Sequence, residues 1–263
     1  MQKYDTPSIV HIMKGLKGPR ACRAFAKGCG TKTFIKPKNY NGGGSIATYG
    51  ILRGSDIAMK SADQYWYIDH GYFGKRHEKW GSEYWRITRN DLIHSGKGEH
   101  DWDRFNKFKY ELKPWRKIGD YVLVVPPSMP MAKFFGVEDW LTRTVNGLLV
   151  NTDRNIIICE KKVYNAPQQM KHNFNQNAVG YGDYKTLLGS AWVVVAFNSG
   201  VVVDSLINGI PVIQDYQSRN IGSVQDVENP IMDRSLLKNL AYNQWTLEEM
   251  KSGKAWEELN EWG

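Results

Sequence analysis

The second half of the chain shows a regular alternation of short apolar runs and helical patterns. The apolar runs predict buried strands at residues 121–125 (YVLVV), 156–159 (IIIC) and 192–197 (WVVVAF). Apolar positions with helical spacing follow these runs, at residues 138–149, 184–190 and 201–208. Strands that alternate with helices at this spacing predict a parallel, doubly wound α/β sheet.

The first half is less regular, but it also predicts an α/β arrangement. Its apolar runs predict strands at residues 7–13, 34–35 and 65–68. A short basic helix is predicted over residues 20–27, and a helix interrupted by glycine over residues 46–62. The C-terminal tail predicts two further helices, over residues 236–242 and 246–262.

Residues 192–214 (WVVVAFNSGVVVDSLINGIPVIQ) have the pattern of a strand, a tight turn, a helix and a second strand. The turn Asn198-Ser199-Gly200 presents the start of the helix, whose unpaired N–H groups and positive dipole favour an anion such as phosphate. Asp204 follows Gly200 by one helical turn, so a sugar ring over the glycine can reach its carboxylate. The alternative is an ordinary helix N-cap, with Asp204 as a surface acid.

Two other strand ends in the second half carry groups that suit a diphosphate. Ser128 follows the strand at residues 121–125, and Lys161 and Lys162 follow the strand at residues 156–159. Because ligands bind beyond the carboxyl ends of the strands in open α/β sheets, we expect these groups to converge with the turn at residues 198–200. Ammonium groups neutralise charge on a diphosphate leaving group. The sequence therefore predicts a donor-nucleotide site here.

Asp69 and His70 directly follow the apolar run at residues 65–68 and precede Gly71. Ionisable residues at the end of a buried strand are candidates for acid–base chemistry in α/β proteins. Either side chain can act as the general base that deprotonates an acceptor hydroxyl. A histidine beside an aspartate is also a common structural pair, so the choice between the two stays open.

A glycine-rich loop at residues 39–45 (NYNGGGS) is a second candidate site in the first half. Gly43, Gly44 and Ser45 allow the backbone to approach an acceptor or a phosphate closely. The loop lacks the flanking fingerprint of a dinucleotide-binding fold, and a plain flexible turn is the alternative.

Charge is divided unevenly along the chain. Residues 1–117 contain 23 Lys and Arg against 11 Asp and Glu, whereas residues 118–263 contain 12 against 16. The basic half predicts contact with a polyanion, with a solvated surface as the alternative. Residues 75–117 interleave basic and aromatic residues, which suits stacking of bases or sugars, or else a local core. Arg86 and Arg89 in this segment are candidates to bind acceptor phosphate or donor diphosphate.

The amino-acid composition predicts a soluble globular protein without a membrane span. A hydrophobic content of 41% and a charged content of 24% are typical of a soluble globular protein. No apolar run reaches the roughly 18–20 residues of a membrane span, and the N-terminus lacks a signal-peptide apolar region. Three cysteines without metal-ligand spacing indicate idle thiols in a reducing, cytoplasmic compartment. No pair of acidic residues follows a predicted strand in the way that a metal-binding Asp-x-Asp motif would, so we expect that no metal is required. Asp101-Trp102-Asp103 has the letters of this motif but lies in the basic–aromatic segment.

The stretch FNSGVVVDSLINGIPVI at residues 197–213 resembles the C-terminal domain of GT-B nucleotide-sugar transferases and of capsule- and teichoic-acid-type transferases. IIICEKK is similar to the strand with a basic end that precedes it there. IDHGYFGK is similar to the His-Gly motif that carries the catalytic base in the teichoic-acid-type relatives. The chain departs from the pattern at Asn198, where a serine is usual, and at Asp204, where glutamate is commoner. The resemblance implies a GT-B-like fold, two Rossmann-like halves with a cleft between them, and a nucleotide-sugar, foremost a UDP-sugar, as co-substrate without a further cofactor.

The resemblance also implies which segments of the chain bind the acceptor and which bind the donor. Residues 1–118 would bind the acceptor, residues 119–243 the donor nucleotide, and residues 244–263 would form a helix packed back on the first half. The basic first half and the tail QWTLEEMKSGKAWEEL resemble phage-type glycosyltransferases, some of which modify DNA. The leading hypothesis is therefore sugar transfer to 5-hydroxymethylcytosine or 5-hydroxymethyluracil in phage DNA, by a monomer or small homo-oligomer. The alternatives are transfer to an anionic surface polysaccharide or teichoic-type polymer, and a non-catalytic nucleic-acid-binding protein.

Overall fold

The structure is a computed structural model, and it describes residues 7, 9–12, 18–35, 40, 42–52, 54–77, 81–159, 179–182, 184–216 and 219–261. Its contacts divide the chain into a first unit (residues 1–108 and 238–263) and a second unit (residues 109–237). The sequence predicts boundaries at 118/119, near the change in composition, and at 243/244, and these stay predictions. Residues 109–118 lie in the second unit, where the backbone of Lys113 and Arg116 bonds to Ile207 and Gly209.

The described residues form the strands β1 (Ile9–Ile12), β2 (Thr33–Ile35), β3 (Ser45–Tyr49), β4 (Gln64–His70), β5 (Arg76–His77), β6 (Gly81–Ser82), β7 (Tyr84–Arg89), β8 (Tyr121–Val125), β9 (Asn155–Cys159), β10 (Val179–Gly182), β11 (Ala191–Ala196), β12 (Val212–Tyr216), β13 (Arg219–Ile221) and β14 (Trp245–Thr246). Their helices are α1 (Gly18–Gly28), α2 (Ser55–Ser61), α3 (Asp103–Asn106), α4 (Met129–Phe135), α5 (Trp140–Leu149), α6 (Tyr184–Leu187), α7 (Val201–Ile207), α8 (Ser235–Tyr242), α9 (Leu247–Lys251) and α10 (Lys254–Glu261).

The first unit is built on a mixed sheet with the strand order β14-β7-β4-β3-β1-β2. Strands β2, β1, β3 and β4 are parallel, whereas β7 and β14 are antiparallel to their neighbours. The chain passes from β1 to β2 on one side and to β3 and β4 on the other, so the strand order reverses between β1 and β3. Such a reversal is where doubly wound sheets open a crevice at the carboxyl ends of their strands.

Helix α1 covers one face of this sheet because its apolar residues recur with helical spacing. Cys22 and Phe25 are fully buried, whereas Arg23 and Lys27 are exposed. The aromatic residues of the same core are fully buried as well: Trp66, Trp85 and Trp245. Trp256 of α10 meets the Trp66 ring at a centroid distance of 5.2 Å, so the C-terminal helix packs within the first unit.

The second unit is built on a sheet with the strand order β10-β9-β8-β11-β12-β13. Its first five strands are parallel, and β13 is antiparallel to β12. Counted from β8, the parallel strands have the order 3-2-1-4-5 of a Rossmann-like sheet, which reverses between β8 and β11. Every residue of β11 is buried, which is typical of a central parallel strand. The predicted α/β class is confirmed for both units, while the predicted cleft between two halves stays a prediction.

The main secondary-structure prediction that the structure overturns is the helix over residues 46–62. Instead of an interrupted helix, they form strand β3, a turn at Gly50, and helix α2. Strand β3 lies between β1 and β4, and Ile46, Ala47 and Thr48 are all fully buried. A short apolar run that is buried on both faces cannot be told from a helix segment by periodicity alone, which is why the prediction failed.

At Gly209 the backbone of the second unit packs closely against the segment before β8. The Gly209 φ of +71° favours glycine, and a Cβ at this position would collide with the carbonyl oxygen of Pro114. No helix within the described part of the chain is long and apolar enough to cross a membrane.

Candidate functional site

Asp69 and His70 end strand β4 in the first unit, and their side chains lie on opposite faces of the sheet. Asp69 is on the face of Tyr67, two residues earlier. His70 is on the face that α1 covers. Its imidazole stacks on the Trp85 ring, with a centroid distance of 5.2 Å and an interplanar angle of 27°. The two residues therefore belong to two separate side-chain clusters.

The Asp69 carboxylate accepts hydrogen bonds at both oxygens. Its Oδ2 accepts from the Tyr67 hydroxyl at 2.8 Å and from Arg86 Nη2 at 2.8 Å, and its Oδ1 accepts from the His70 backbone N–H at 2.8 Å. All three donors belong to the same unit as Asp69. Asp69 therefore organises the end of β4.

Arg86 was predicted to bind phosphate, but it lies in a buried ion pair with Asp69. The exposed fraction of its side chain is 13%, and that of Asp69 is 24%. Its guanidinium carbon lies 5.8 Å from the Tyr67 ring centroid and 5.3 Å from that of Tyr72. Burial acts to lower the pKa of Arg86, but the Asp69 carboxylate outweighs it and raises that pKa above its ordinary value.

Arg89, the other predicted phosphate ligand, lies at the opposite end of the strand pair. It faces Trp66 in the antiparallel register, whereas Arg86 faces Asp69. Its Nη2 donates to the Gln64 side-chain oxygen at 3.1 Å on the exposed surface. The structure therefore does not bring Arg89 to the end of β4 where His70 lies.

Both ring nitrogens of His70 are hydrogen-bonded to hydroxyl groups. Nε2 lies 3.1 Å from the Tyr49 hydroxyl, and Nδ1 lies 2.6 Å from Ser82 Oγ. Burial, and to a smaller degree the charge of Asp69, raises the pKa of Tyr49 above its ordinary value, so the phenol stays protonated at neutral pH. Sequence reasoning missed Tyr49 and Ser82, because they come from β3 and β6 and no local spacing links them to His70.

Gln244 is a third residue that the sequence did not reveal. Its side-chain oxygen accepts from the backbone N–H groups of Tyr72 at 2.6 Å and Phe73 at 2.9 Å, in the loop directly after His70. A Cβ on Gly71 would lie 2.7 Å from that same oxygen, which is why glycine follows the histidine. The C-terminal segment thus positions the His-Gly motif from a distance of more than 170 residues in sequence.

The glycine-rich loop uses its own polar groups for local contacts. Gly43 N–H donates to the Ser61 carbonyl at 2.7 Å, and Gly44 N–H donates to Asp63 Oδ2 at 2.6 Å. Ser45 is 8% exposed and is the first residue of β3. These contacts favour the alternative in which residues 43–45 form a turn that leads into a buried strand.

In the second unit, Ser128 and the turn at residues 198–200 lie at the same edge of the sheet. Strands β8 and β11 are parallel neighbours, with Val125 opposite Ala196. Ser128 follows β8 at the N-cap of α4 and makes no side-chain capping bond. The turn follows β11, so both lie where the strand order reverses, the place at which Rossmann-like sheets bind ligands.

Among the described residues, the turn leaves open space over its glycine. Gly200 is exposed at the N-cap of α7, and a Cβ there would have no atom of a described residue within 4 Å. Ser199 Oγ accepts weakly from Val201 N–H at 3.4 Å, and Asn198 Nδ2 is buried without a hydrogen-bond partner among the described residues. Asp204 is half-buried in the first turn of α7. This arrangement has room for a ligand group above Gly200.

Lys161 and Lys162, the predicted cations of the donor site, lie outside the described residues. Strand β9, which precedes them, is described to Cys159 and is a direct neighbour of β8. Their contribution to the donor site stays a prediction.

The basic–aromatic segment at residues 75–117 contributes to a local core. Phe108 meets Phe73 at a centroid distance of 5.2 Å and Tyr84 at 5.1 Å, and Phe105 meets Phe73 at 5.3 Å. Trp85 is fully buried. The rings of this cluster are therefore packed on one another, in agreement with the local-core alternative, and base stacking by the segment stays a prediction.

Among the described residues, no group of three or more His, Cys, Asp or Glu side chains is placed to hold a metal ion. The expected independence from metal stays a prediction, because this finding does not extend to residues 160–178.

No family model matches the chain, and no curated protein is similar to it in sequence. Several solved structures are similar to it. The KpsC β-Kdo 2,4-transferase of Thermosulfurimonas dismutans is 16% identical over 90% of each chain, with a TM-score of 0.48. The KpsC β-Kdo 2,7-transferase of the same organism is 12% identical over 96% of this chain and 98% of its own, with a TM-score of 0.48. The iron-containing dodecameric glycosyltransferase TibC of enterotoxigenic E. coli is 13% identical over 84% of this chain and 66% of its own, with a TM-score of 0.29.

Proposed function

We propose that this chain is a glycosyltransferase that moves a sugar from a nucleotide-sugar donor to an acceptor hydroxyl. The observation that supports the proposal is that β8, which Ser128 follows, and β11, which the turn at residues 198–200 follows, are parallel neighbours at the strand-order reversal of the second sheet. That is the edge at which open α/β sheets bind nucleotides, and it coincides with the motif that resembles the GT-B transferases.

The donor side of the proposal assigns a role to each group at this edge. The hydroxyls of Ser128 and Ser199 bond the diphosphate, and the open space over Gly200 accommodates the sugar. Asp204, one helical turn further on, accepts hydrogen bonds from sugar hydroxyls. Lys161 and Lys162 neutralise the leaving diphosphate and so lower the barrier to its departure.

The acceptor side of the proposal assigns the general base to His70. The Asp69 carboxylate forms an ion pair with Arg86 and also accepts from Tyr67 and a backbone N–H, which supports a structural role for it. Both contacts of the His70 imidazole are to neutral hydroxyl groups, and an imidazole is the side chain that most often acts as a general base.

For the acceptor we propose a 5-hydroxymethylated pyrimidine in DNA. The excess of Lys and Arg in residues 1–117 supports a polyanionic acceptor. A base inside a duplex would have to leave the stack before its hydroxymethyl group could meet His70. An anionic surface polymer has the same charge chemistry and serves as the second acceptor in the test.

The test incubates the chain with hydroxymethylcytosine DNA, hydroxymethyluracil DNA or a teichoic-type polymer and a panel of nucleotide sugars. We expect a mass gain of one sugar residue on the hydroxymethylated DNA, and a loss of about 10²-fold or more in rate for His70→Gln and for Asp204→Ala. The matched control is Asp215→Ala, which removes an exposed carboxylate from β12 of the same unit and leaves the rate unchanged.

Three outcomes would contradict parts of the proposal. A mass gain on the polymer alone excludes DNA as the acceptor. Equal rates for Asp204→Ala and Asp215→Ala remove Asp204 from the donor site. No transfer to any acceptor, together with no rise in the melting temperature when uridine diphosphate is added in excess, favours the non-catalytic nucleic-acid-binding protein.

A further inference from the structure

The His70 imidazole is held between two hydroxyl groups, and this arrangement determines how a proton can reach it. A neutral imidazole has one N–H donor and one lone-pair acceptor. With Tyr49 on Nε2 and Ser82 on Nδ1, one hydroxyl donates to the ring and the other accepts from it. An acceptor hydroxyl therefore has no vacant ring nitrogen to approach directly.

The relative acidity of the two hydroxyls favours one of the two arrangements. A phenol is a stronger hydrogen-bond donor than an aliphatic alcohol, and the alcohol oxygen is the stronger acceptor. The Tyr49 hydroxyl then donates to Nε2, and Nδ1–H donates to Ser82 Oγ. Ser82, at the short distance of 2.6 Å, acts as the positioning residue that selects the Nδ1–H tautomer.

The two hydroxyls lie on different sides of His70 in the sheet. Tyr49 is the last residue of β3, on the side of β1, where the strand order reverses and a ligand crevice is expected. Ser82 precedes β7, on the other side of β4. Tyr49 therefore lies on the side of His70 that faces the reversal of the first sheet.

The Tyr49 ring is fixed in this position by its neighbours. Its hydroxyl bonds to His70, and its ring meets the Trp85 ring edge-on at a centroid distance of 5.9 Å. A Cβ on Gly18, at the start of α1, would collide with the Tyr49 ring, so glycine is required where the helix begins. The phenol is thus held in place before any ligand arrives.

We infer that Tyr49 is the catalytic residue that touches the acceptor hydroxyl, and that His70 receives the acceptor proton through it. The acceptor proton moves to the Tyr49 oxygen while the Tyr49 proton moves to His70 Nε2. The acceptor oxygen attacks the anomeric carbon with its freed electron pair, and the bond from that carbon to the diphosphate breaks with its electrons leaving on the nucleotide. His70 ends as an imidazolium, with Nδ1–H still bonded to Ser82. This step rests on the proposed glycosyl transfer.

The activity test is Tyr49→Phe, which keeps the ring and removes the hydroxyl. The proton path predicts a fall in kcat of about 10²-fold or more, because the acceptor is no longer linked to His70. If Tyr49 merely covers Nε2, its removal exposes the base, and kcat stays equal or rises; that result overturns the inference. The matched control is Tyr242→Phe, which removes an exposed hydroxyl that donates to Asp101 and leaves kcat unchanged.

The second test needs no substrate and separates this inference from the proposed function. Nitrogen-15 NMR of the full chain, with the His70 signals identified by their disappearance in His70→Gln, reports which ring nitrogen carries the proton. We expect the Nδ1–H tautomer in the wild type and a shift toward Nε2–H in Ser82→Ala. The Nε2–H tautomer in the wild type overturns the proton path whatever the activity. The Nδ1–H tautomer in a chain that transfers no sugar confirms the hydrogen-bond arrangement at His70 and contradicts the glycosyl transfer on which the proton path rests.

Discussion

At the scale of single residues, Arg86 shows that a basic side chain in a basic segment can have its partner within the protein. Arg86 lies in a segment with many Lys and Arg, and the sequence predicted a phosphate contact. In the structure its charge is paired with Asp69, and its guanidinium carbon lies 5.8 Å and 5.3 Å from the ring centroids of Tyr67 and Tyr72. The Asp69 carboxylate thus has a structural partner, and the assignment of His70 as the general base stays a proposal.

The pair makes a stability prediction at this scale. Arg86→Leu leaves the Asp69 carboxylate without its partner in a largely buried setting, and we expect the free energy of unfolding to fall by about 3–5 kcal/mol. The matched control is Arg143→Leu, which breaks the exposed pair with Asp139 and should cost at most about 1 kcal/mol. Urea unfolding measures both. Equal, small decreases would show that Arg86 is not held structurally and would return it to the phosphate candidates.

At the scale of elements, the C-terminal segment completes the sheet that carries His70. Strand β14 pairs with β7 through Trp245 and Trp85, and the Gln244 side chain holds the loop after His70. Helix α9 begins with a capping box in which Thr246 and Glu249 bond each other's backbone N–H groups. The end of the chain is therefore part of the architecture of the first unit.

The capping box predicts a dependence of stability on pH. Burial acts to raise the pKa of Glu249, but the Thr246 backbone N–H and the Arg104 guanidinium outweigh it and lower that pKa below its ordinary value. A carboxylate with a lowered pKa in the folded state stabilises the fold above its unfolded pKa of about 4.3, and this stability is lost as pH falls through the lowered value.

The expected result is a destabilisation by Glu249→Gln at pH 7 that shrinks as the pH is lowered below about 4. Melting temperatures of the variant and the wild type across this range measure it. The matched control is Glu257→Gln, an exposed residue of α10, whose difference from the wild type should be small at every pH. A Glu249→Gln difference that is constant with pH would contradict the ionic role of the carboxylate.

At the scale of the whole molecule, folding redistributes the charge that the sequence presents. The first unit contains 22 Lys and Arg against 15 Asp and Glu, and the second contains 13 against 12. The net charge of the first unit is therefore +7, below the +12 of residues 1–117, because residues 109–117 (net +3) belong to the second unit and residues 238–263 (net −2) to the first. The charge of the folded unit supports a polyanionic partner less strongly than the linear sequence does. The exposed side of α1, with Arg23 and Lys27, keeps a local excess of positive charge.

A prediction about DNA binding belongs at this scale. We expect Arg23→Ala combined with Lys27→Ala to weaken binding of the full chain to DNA and to reduce the slope of log K against log salt by about 1 for each phosphate that the protein no longer neutralises. Fluorescence anisotropy measures the DNA affinity and its salt slope. The salt concentration is varied between about 50 and 200 mM, where phosphate contacts dominate. Lys117→Ala, an exposed lysine of the second unit, is the control and should change neither. Equal effects of both substitutions would show a diffuse charge effect without a binding surface on α1.

The sequence by itself determined the α/β class, the strands β8, β9 and β11, and the turn at residues 198–200, because hydrophobic periodicity and turn residues are local signals. It also determined that Asp69 and His70 end a strand. Only the tertiary structure decided that Asp69 pairs with Arg86 and that His70 lies between two hydroxyl groups. Tyr49, Ser82 and Gln244 reach the end of β4 from other elements, and strand pairing, which no local pattern specifies, brings them there. The same pairing turned residues 46–49 from a predicted helix into the central strand that carries Tyr49.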